Sequence, residues 1–505
     1  MENKQIKLGA AISYFAIAVN ILAGLLYTPW MVRTIGQANY GLYTLATSLI
    51  SIFLLDFGMS AAVSRFVSKY NAEGDQESVN NLLGIVYKLY IIIDIILFTA
   101  LIVNFFFIDK IYAGLTPIEI EKFKVIYIIV AIFSIISFPF ITLDGILTSY
   151  EKFIYLKMCD LLNKVSVVVL MICTLLFGLG LYALVIVNAI SGIAIILIKL
   201  TIIKRKLPVK VNFRFKSTKM LRDIFNFSVW STIISLAQTF IFNIIPSILG
   251  AISGSVSIAL FGIASTIEGY AYIFAAAING MFLPKVSRIV NKGSENTDIL
   301  PLMIKVGRFQ FCILGLITIG FLILGKEFII LWMGEKYIVS YYCALVLILP
   351  SLFYFPQEIG NTTIFVLNKV KIQSVIFAGM ALINILLAIP LSKNFGAFGA
   401  SLSICITYFA RTIAMNVVYY KVLKIDIFKF FKECYIKMSL PIILTLFLGY
   451  GLHYLLQIDG WIGFILNGIL IVITYFIFMW FLAFNLYEKD LLLGVFKRFL
   501  KRKVY

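Results

Sequence analysis

Hydrophobic positions in this chain come in long unbroken runs, not in the alternation of a half-buried strand or the stripe of a soluble amphipathic helix. Runs long enough to cross a bilayer, roughly 17–25 residues, fall near 8–31, 40–62, 82–107, 125–148, 157–177, 181–203, 223–246, 256–282, 306–324, 341–365, 373–392, 397–420, 438–456 and 460–484. They predict an all-α polytopic membrane protein of about fourteen transmembrane helices. The fifth and sixth are separated only by Gly178-Leu179-Gly180. The first is too long for a signal-peptide core and lacks a small-residue cleavage site, so it is expected to be an uncleaved span. The longest external loops, 108–124 and 325–340, are too small for a folded domain.

Prolines and polar residues within the runs suggest an internal repeat. Phe138-Pro139 and Phe355-Pro356 are 217 residues apart (356 − 139), as are Pro29 and Pro246, and Lys152 and Lys369. Near that offset, Leu45-Ala46-Thr47-Ser48-Leu49 matches Ile263-Ala264-Ser265-Thr266-Ile267 in character. Six spans per half is an even number, which predicts two parallel six-helix lobes related by an axis along the membrane normal. The expected organisation is a lobe over 1–203, a basic cytoplasmic linker over 204–222 and a second lobe over 223–421. Two extra helices and a basic tail follow over 422–505.

Composition supports the lipid environment: 62% of the 505 residues are hydrophobic, 13% are charged, and mean hydropathy is +1.01. Soluble chains hold about 25% charged residues. The net charge of +19 could suggest nucleic acid. The cations flank apolar runs, however, and read as topology determinants and contacts to anionic head groups. Placing the N-terminus in the cytoplasm puts roughly 33 Lys and Arg in cytoplasmic segments and roughly 7 outside, which sets the orientation and puts the C-terminus inside too. The densest cluster, Lys204-Arg205-Lys206 through Lys210, Arg214, Lys216 and Lys219, lies in the linker. Six cysteines without paired spacing read as small core residues, and the lone His453 excludes a multi-histidine metal centre.

Candidate chemistry rests on ionisable groups at membrane depth, each costing about 2.5–3.5 kcal/mol on insertion scales and therefore expected to face a cavity or a partner. Arg411 is the leading candidate for substrate contact because a guanidinium does not readily lose its charge. The alternative is a structural ion pair with Glu268 or Glu358. Lys88 and Lys164 are further cationic candidates, and Glu268, Glu358 and Asp94 are candidates for a coupling ion. Asp160 and Lys164, four apart, could instead neutralise each other. Pro139 and Pro356 each remove a backbone donor ahead of a polar group, as packing kinks or as gating hinges lining a hydrated cavity. Asp56, at the cytoplasmic end of span two, is expected to be an interfacial or helix-capping residue. A nucleotide-binding Gly-x-x-x-x-Gly-Lys-Ser/Thr loop is missing, which leaves ATP-driven transport by this chain unsupported.

Met31-Val32-Arg33-Thr34-Ile35-Gly36, Tyr40-Gly41-Leu42-Tyr43, Asp56-Phe57-Gly58 and Ser64-Arg65-Phe66 together resemble the start of Wzx-type polysaccharide flippases. These belong to the superfamily that also holds MATE multidrug extruders and lipid II flippases, and the resemblance extends over the whole length. It implies MATE-like lobes rocking around a central cavity in the bacterial cytoplasmic (inner) membrane. It also implies an undecaprenyl-pyrophosphate-linked oligosaccharide, an O-antigen or capsule repeat unit, as substrate. A proton or sodium gradient would supply the energy without a cofactor. Membrane lipids, a polysaccharide polymerase and a chain-length regulator are the implied partners. A multidrug–cation antiporter and a lipid II flippase are the alternatives of the same fold. Lipid II flippases carry cavity arginines on their first two helices, whereas Arg33 and Arg65 fall at helix ends here. A membrane polymerase or glycosyltransferase would usually carry a sizeable external catalytic loop, and none is present.

Overall fold

The computed structural model describes residues 2–279, 282–291, 299–456, 458–490 and 493–494. Among them eleven helices are long and apolar enough to cross a membrane. One of these, Val370–Leu423, is 54 residues long, about 80 Å of helix at 1.5 Å per residue and far more than one bilayer needs. Its backbone reverses at Gly396 (φ 54, ψ −132), and beyond the reversal Ser403 Oγ donates to Asn384 Oδ1 at 3.0 Å. The two arms therefore lie side by side as spans eleven and twelve. Span one is the helix Glu2–Ile35, continuous through Pro29. Span two is split into Gln37–Phe53 and Met59–Ala72. With these the described residues hold fourteen candidate spans. The end of the predicted eighth run (280–281) and most of the basic tail lie outside the described residues.

The break in span two has a local cause. Phe57 and Gly58 both adopt positive φ (41° and 65°), which halts the helix. Asp56 Oδ1 then accepts from Ser60 N at 3.1 Å and Ser60 Oγ at 2.9 Å, satisfying a free N–H of the new helix's first turn; Asp56 thus sits at the break inside span two and not at its cytoplasmic end. Helices also extend past the apolar runs: Pro117–Ser137 starts with a Thr116–Glu119 capping box, and Ile299–Met333 runs through to Gly334. The external loops predicted over 108–124 and 325–340 are correspondingly shorter, because polar residues at a span end continue the helix once a cap has set it.

The internal repeat is written in the backbone as well as the sequence. Pro139 and Pro356 each sit in the middle of a single 3-10 turn, Phe138–Phe140 and Phe355–Gln357. Glu151 and Asn368, again 217 apart (368 − 151), both adopt positive φ (56° and 58°) just after the helix that follows. Gly36 and Gly254 share a φ of 83°, and Gly178 (φ 67°) is matched by Gly396 (φ 54°); both pairs are offset by 218.

The chain divides into two compact units, residues 1–263 with 370–407 and residues 264–369 with 408–505. In the first, the core gathers Val63, Val67, Leu82, Leu83, Val86, Tyr90, Phe138 and Leu147 from spans two, three and four, with Ile203 and Leu207 from the end of span six. The lipid-facing side of span three is apolar: Ile92, Ile95 and Ile96 are 56%, 61% and 63% exposed, which in a bilayer is burial rather than exposure. In the second unit Tyr354 and Phe355 pack with Ala275 and Leu314.

Candidate functional site

The second unit buries a polar, aromatic cluster contributed by three spans. Span eight supplies Glu268, 7% exposed, and Tyr272. Span ten supplies Tyr354 immediately before the Pro356 turn, and Glu358 and Asn361 immediately after it. Span twelve supplies Tyr408, Arg411 and Tyr419, whose three- and eight-residue spacings place them on one helical face. The 3-10 turn brings the Tyr354 ring and the Glu358 carboxylate towards the same face of span twelve.

Arg411 is buried at 7% exposure, with its guanidinium carbon 5.1 Å from the centre of the Tyr354 ring and 5.8 Å from that of Tyr408. Those two rings lie 5.0 Å apart, and Tyr272 packs edge-on to Phe355 at 5.3 Å. A cation over aromatic faces contributes about 0.5–2 kcal/mol, more as water is excluded. Below it, Tyr419 Oη donates to Asn361 Oδ1 at 2.9 Å and Asn361 Nδ2 donates to Glu358 Oε2 at 2.9 Å. Glu358 lies within the electrostatic field of Arg411, and Tyr354 feels both Glu268 and Arg411. Glu358 is thus the carboxylate that Arg411 acts on, whereas Glu268 acts on the surrounding tyrosines Tyr354 and Tyr408. The ion pairs among the described residues include neither Glu268 nor Glu358.

The remaining sequence candidates sit in the first unit. Lys88 donates to the backbone carbonyl of Phe215 at 2.5 Å. Asp94, two turns further along span three, has one buried carboxylate oxygen without a hydrogen-bond partner. Lys164 is half-buried on span five. The salt bridge of Asp160 runs to Lys157 at 3.2 Å rather than to Lys164, since an i, i+3 partner competes equally well on a helix surface. Asp144, one turn past Pro139, pairs with Lys199 of span six at 2.5 Å.

Two constellations escaped the sequence. Arg308 forms a bidentate pair with Glu488 (2.6 and 2.8 Å) and also donates to the carbonyls of Glu433 and Ala483 (2.7 and 2.6 Å). It ties the last two spans to span nine. Its position at the very start of the ninth apolar run made it look like a flanking charge. The basic linker is likewise docked: Asn212 N donates to Asn80 O (3.1 Å), Asn212 Nδ2 to Asn81 Oδ1 (2.6 Å) and Lys210 N to Asn80 Oδ1 (2.8 Å). Gly84 makes room for it, because a Cβ there would sit 2.6 Å from the carbonyl carbon of Asn212. The Asn80-Asn81 pair at the head of an apolar run was the available signal.

A family model described as a polysaccharide biosynthesis protein matches residues 7–290. The chain belongs to that family. A curated relative, the uncharacterized membrane protein EpsK of Bacillus subtilis (strain 168), is 21% identical over 517 residues, covering 97% of each chain. Among solved structures, the lipid II flippase MurJ in an inward closed conformation superposes with a TM-score of 0.72 at 15% identity, over 96% of this chain and 99% of MurJ. An inward-facing multidrug resistance MATE family transporter of the MOP superfamily gives 0.68 at 14% identity, over 82% of this chain and 99% of its own. These likenesses establish the fold. This polysaccharide biosynthesis protein is therefore a multi-pass membrane protein with the MATE-like fold.

Proposed function

We propose that the chain is a flippase that moves an undecaprenyl-pyrophosphate-linked oligosaccharide repeat unit across the bacterial cytoplasmic membrane by ion-coupled alternating access. Membership of a polysaccharide biosynthesis family, in a fold shared with transporters, supports the class. The observation that carries the reading is Arg411, buried against Tyr354 and Tyr408 and within the electrostatic reach of Glu358. A guanidinium binds phosphoryl oxygens through its fork of donors, and tyrosine faces accept the apolar faces of sugar rings. The polyprenyl tail needs no protein cavity, since it remains in hydrocarbon.

Glu268 and Glu358 are the coupling groups of this proposal. A proton or sodium ion on Glu358 changes the charge facing Arg411, and hence its availability to an anionic substrate, while one on Glu268 changes the charge facing the Tyr354 and Tyr408 hydroxyls. Asp94 is a further ion candidate, Lys164 a second cation, and Pro139 and Pro356 the hinges. The termini lie in the cytoplasm on the distribution of Lys and Arg, and a polymerase and chain-length regulator are the partners. The two carboxylates, Glu268 and Glu358, also suit a multidrug–cation antiporter.

Arg411→Ala and Arg411→Lys separate the two. Surface polysaccharide is measured in cells lacking the native gene, with membrane levels of each variant checked alongside. Loss of display in Arg411→Ala at normal protein level, with Arg411→Lys also impaired, is expected. Unchanged display, or loss of drug efflux with display intact, overturns the flippase reading.

A further inference from the structure

A further basic site lies in the first unit. Span three and the linker border an open cavity of about 490 Å³ whose lining includes Ile85, Lys88, Ile92, Phe215, Lys216 and Lys219. Its depth in the membrane follows from helix length. Span three runs unbroken from Lys88 to Phe106, about 27 Å of rise, and Lys110 follows in the next turn. A hydrocarbon layer about 30 Å thick fitted to that stretch leaves Lys88 at one membrane–water boundary and Lys110 at the other. The head-group phosphates of one leaflet lie at the level of the cavity.

The chemistry of the cavity matches one occupant. Lys88 spends one of its three N–H donors on the Phe215 carbonyl and keeps the others. Lys216 and Lys219 are exposed. The helix Thr218–Asn243 begins at the same place, with Ser217 capping only the Met220 N–H at 3.2 Å, so its positive end adds to the three ammonium groups. The floor is apolar, and from Ile92 it continues along the lipid-facing side of span three through Ile95 and Ile96. These two line a further cavity of about 760 Å³ with Thr99 and Val103. A phosphate at the lysines and an acyl chain along the isoleucines is the outline of a bilayer lipid.

We propose that this cavity binds the head-group phosphate of an anionic glycerophospholipid, clasping the linker to span three. A zwitterionic lipid would bring its own ammonium against the three lysines and is disfavoured.

The test uses the full chain in neutral detergent micelles, titrated with phosphatidylglycerol or phosphatidylcholine, with bound lipid counted by native mass spectrometry and unfolding followed by heat. Phosphatidylglycerol is expected to bind and raise the melting temperature, phosphatidylcholine not. Each basic residue near an anionic surface contributes about fivefold, so Lys216→Gln/Lys219→Gln should weaken phosphatidylglycerol binding about 25-fold. Both lysines are exposed, so the fold is not at risk; Lys88→Met serves as the variant from within the cavity. Lys204→Gln/Arg205→Gln removes the same charge from the exposed end of span six, outside the cavity, and should leave binding unchanged. Equal losses in the two double variants, or none in either, would overturn the site. So would stabilisation by inorganic phosphate alone, or by undecaprenyl phosphate in place of phosphatidylglycerol.

Discussion

Replacing Arg308 with Met tests whether the last two spans are an integral part of the second unit. Both side chains of the Arg308–Glu488 pair are 5% exposed, so the substitution strands a carboxylate in a poorly hydrated site. Breaking a buried pair by removing one partner costs about 3–5 kcal/mol. Glu488 keeps one hydrogen bond, from Asn485 N at 2.9 Å, and the loss should therefore sit near the lower end, about 3 kcal/mol. Arg308→Lys should recover little, since a point charge cannot reproduce a bidentate pair together with two carbonyl contacts. The double variant Arg308→Met/Glu488→Leu removes the stranded charge. It should recover about 2 kcal/mol while leaving the carbonyls of Glu433 and Ala483 to find other donors. The assay is denaturant unfolding in mixed micelles followed by tryptophan fluorescence, with Trp461 and Trp480 reporting from span fourteen. A single variant within about 0.5 kcal/mol of the parent, the usual range for an exposed surface change, together with an additive double variant, would refute the clamp.

Glu268→Gln and Glu358→Gln, each isosteric, should alter the proton or sodium dependence of export with little change in membrane level. Identical export under every imposed gradient would exclude both from coupling. Gly84→Val should displace the linker, because overpacking against a backbone carbonyl costs about 1–3 kcal/mol. The readout is faster tryptic cleavage after Lys210 or Arg214, and an unchanged cleavage rate would mean that the Asn212 contacts do not hold the linker.

The cluster around Arg411 shows how far single residues can be read. Arg411, Glu268 and Glu358 stand out in the sequence because each interrupts an apolar run, where an ionisable group is costly. Their meeting within one unit, and the tyrosines that surround Arg411, depend on the 3-10 turn at Pro356 and on which faces of spans eight, ten and twelve converge. The tyrosines carried no signal of their own, since aromatic residues are common throughout the spans. Lys88 shows the opposite case. By position it stands inside a run, but the linker returns along span three and gives it a carbonyl partner at what the helix length makes a membrane boundary.

Features that depend on cost per residue were legible before folding: the apolar spans, the internal repeat and the rarity of charge at depth. Lipid penalises every polar side chain and every open backbone group, so hydropathy alone marks the spans and helix is the only form a single span can take. Hydropathy is blind to angle and partner. The reversal at Gly396, the split at Phe57-Gly58, the docked linker and the Arg308 clamp depend on backbone torsions and on contacts between residues up to 180 positions apart, and these only the tertiary structure decided.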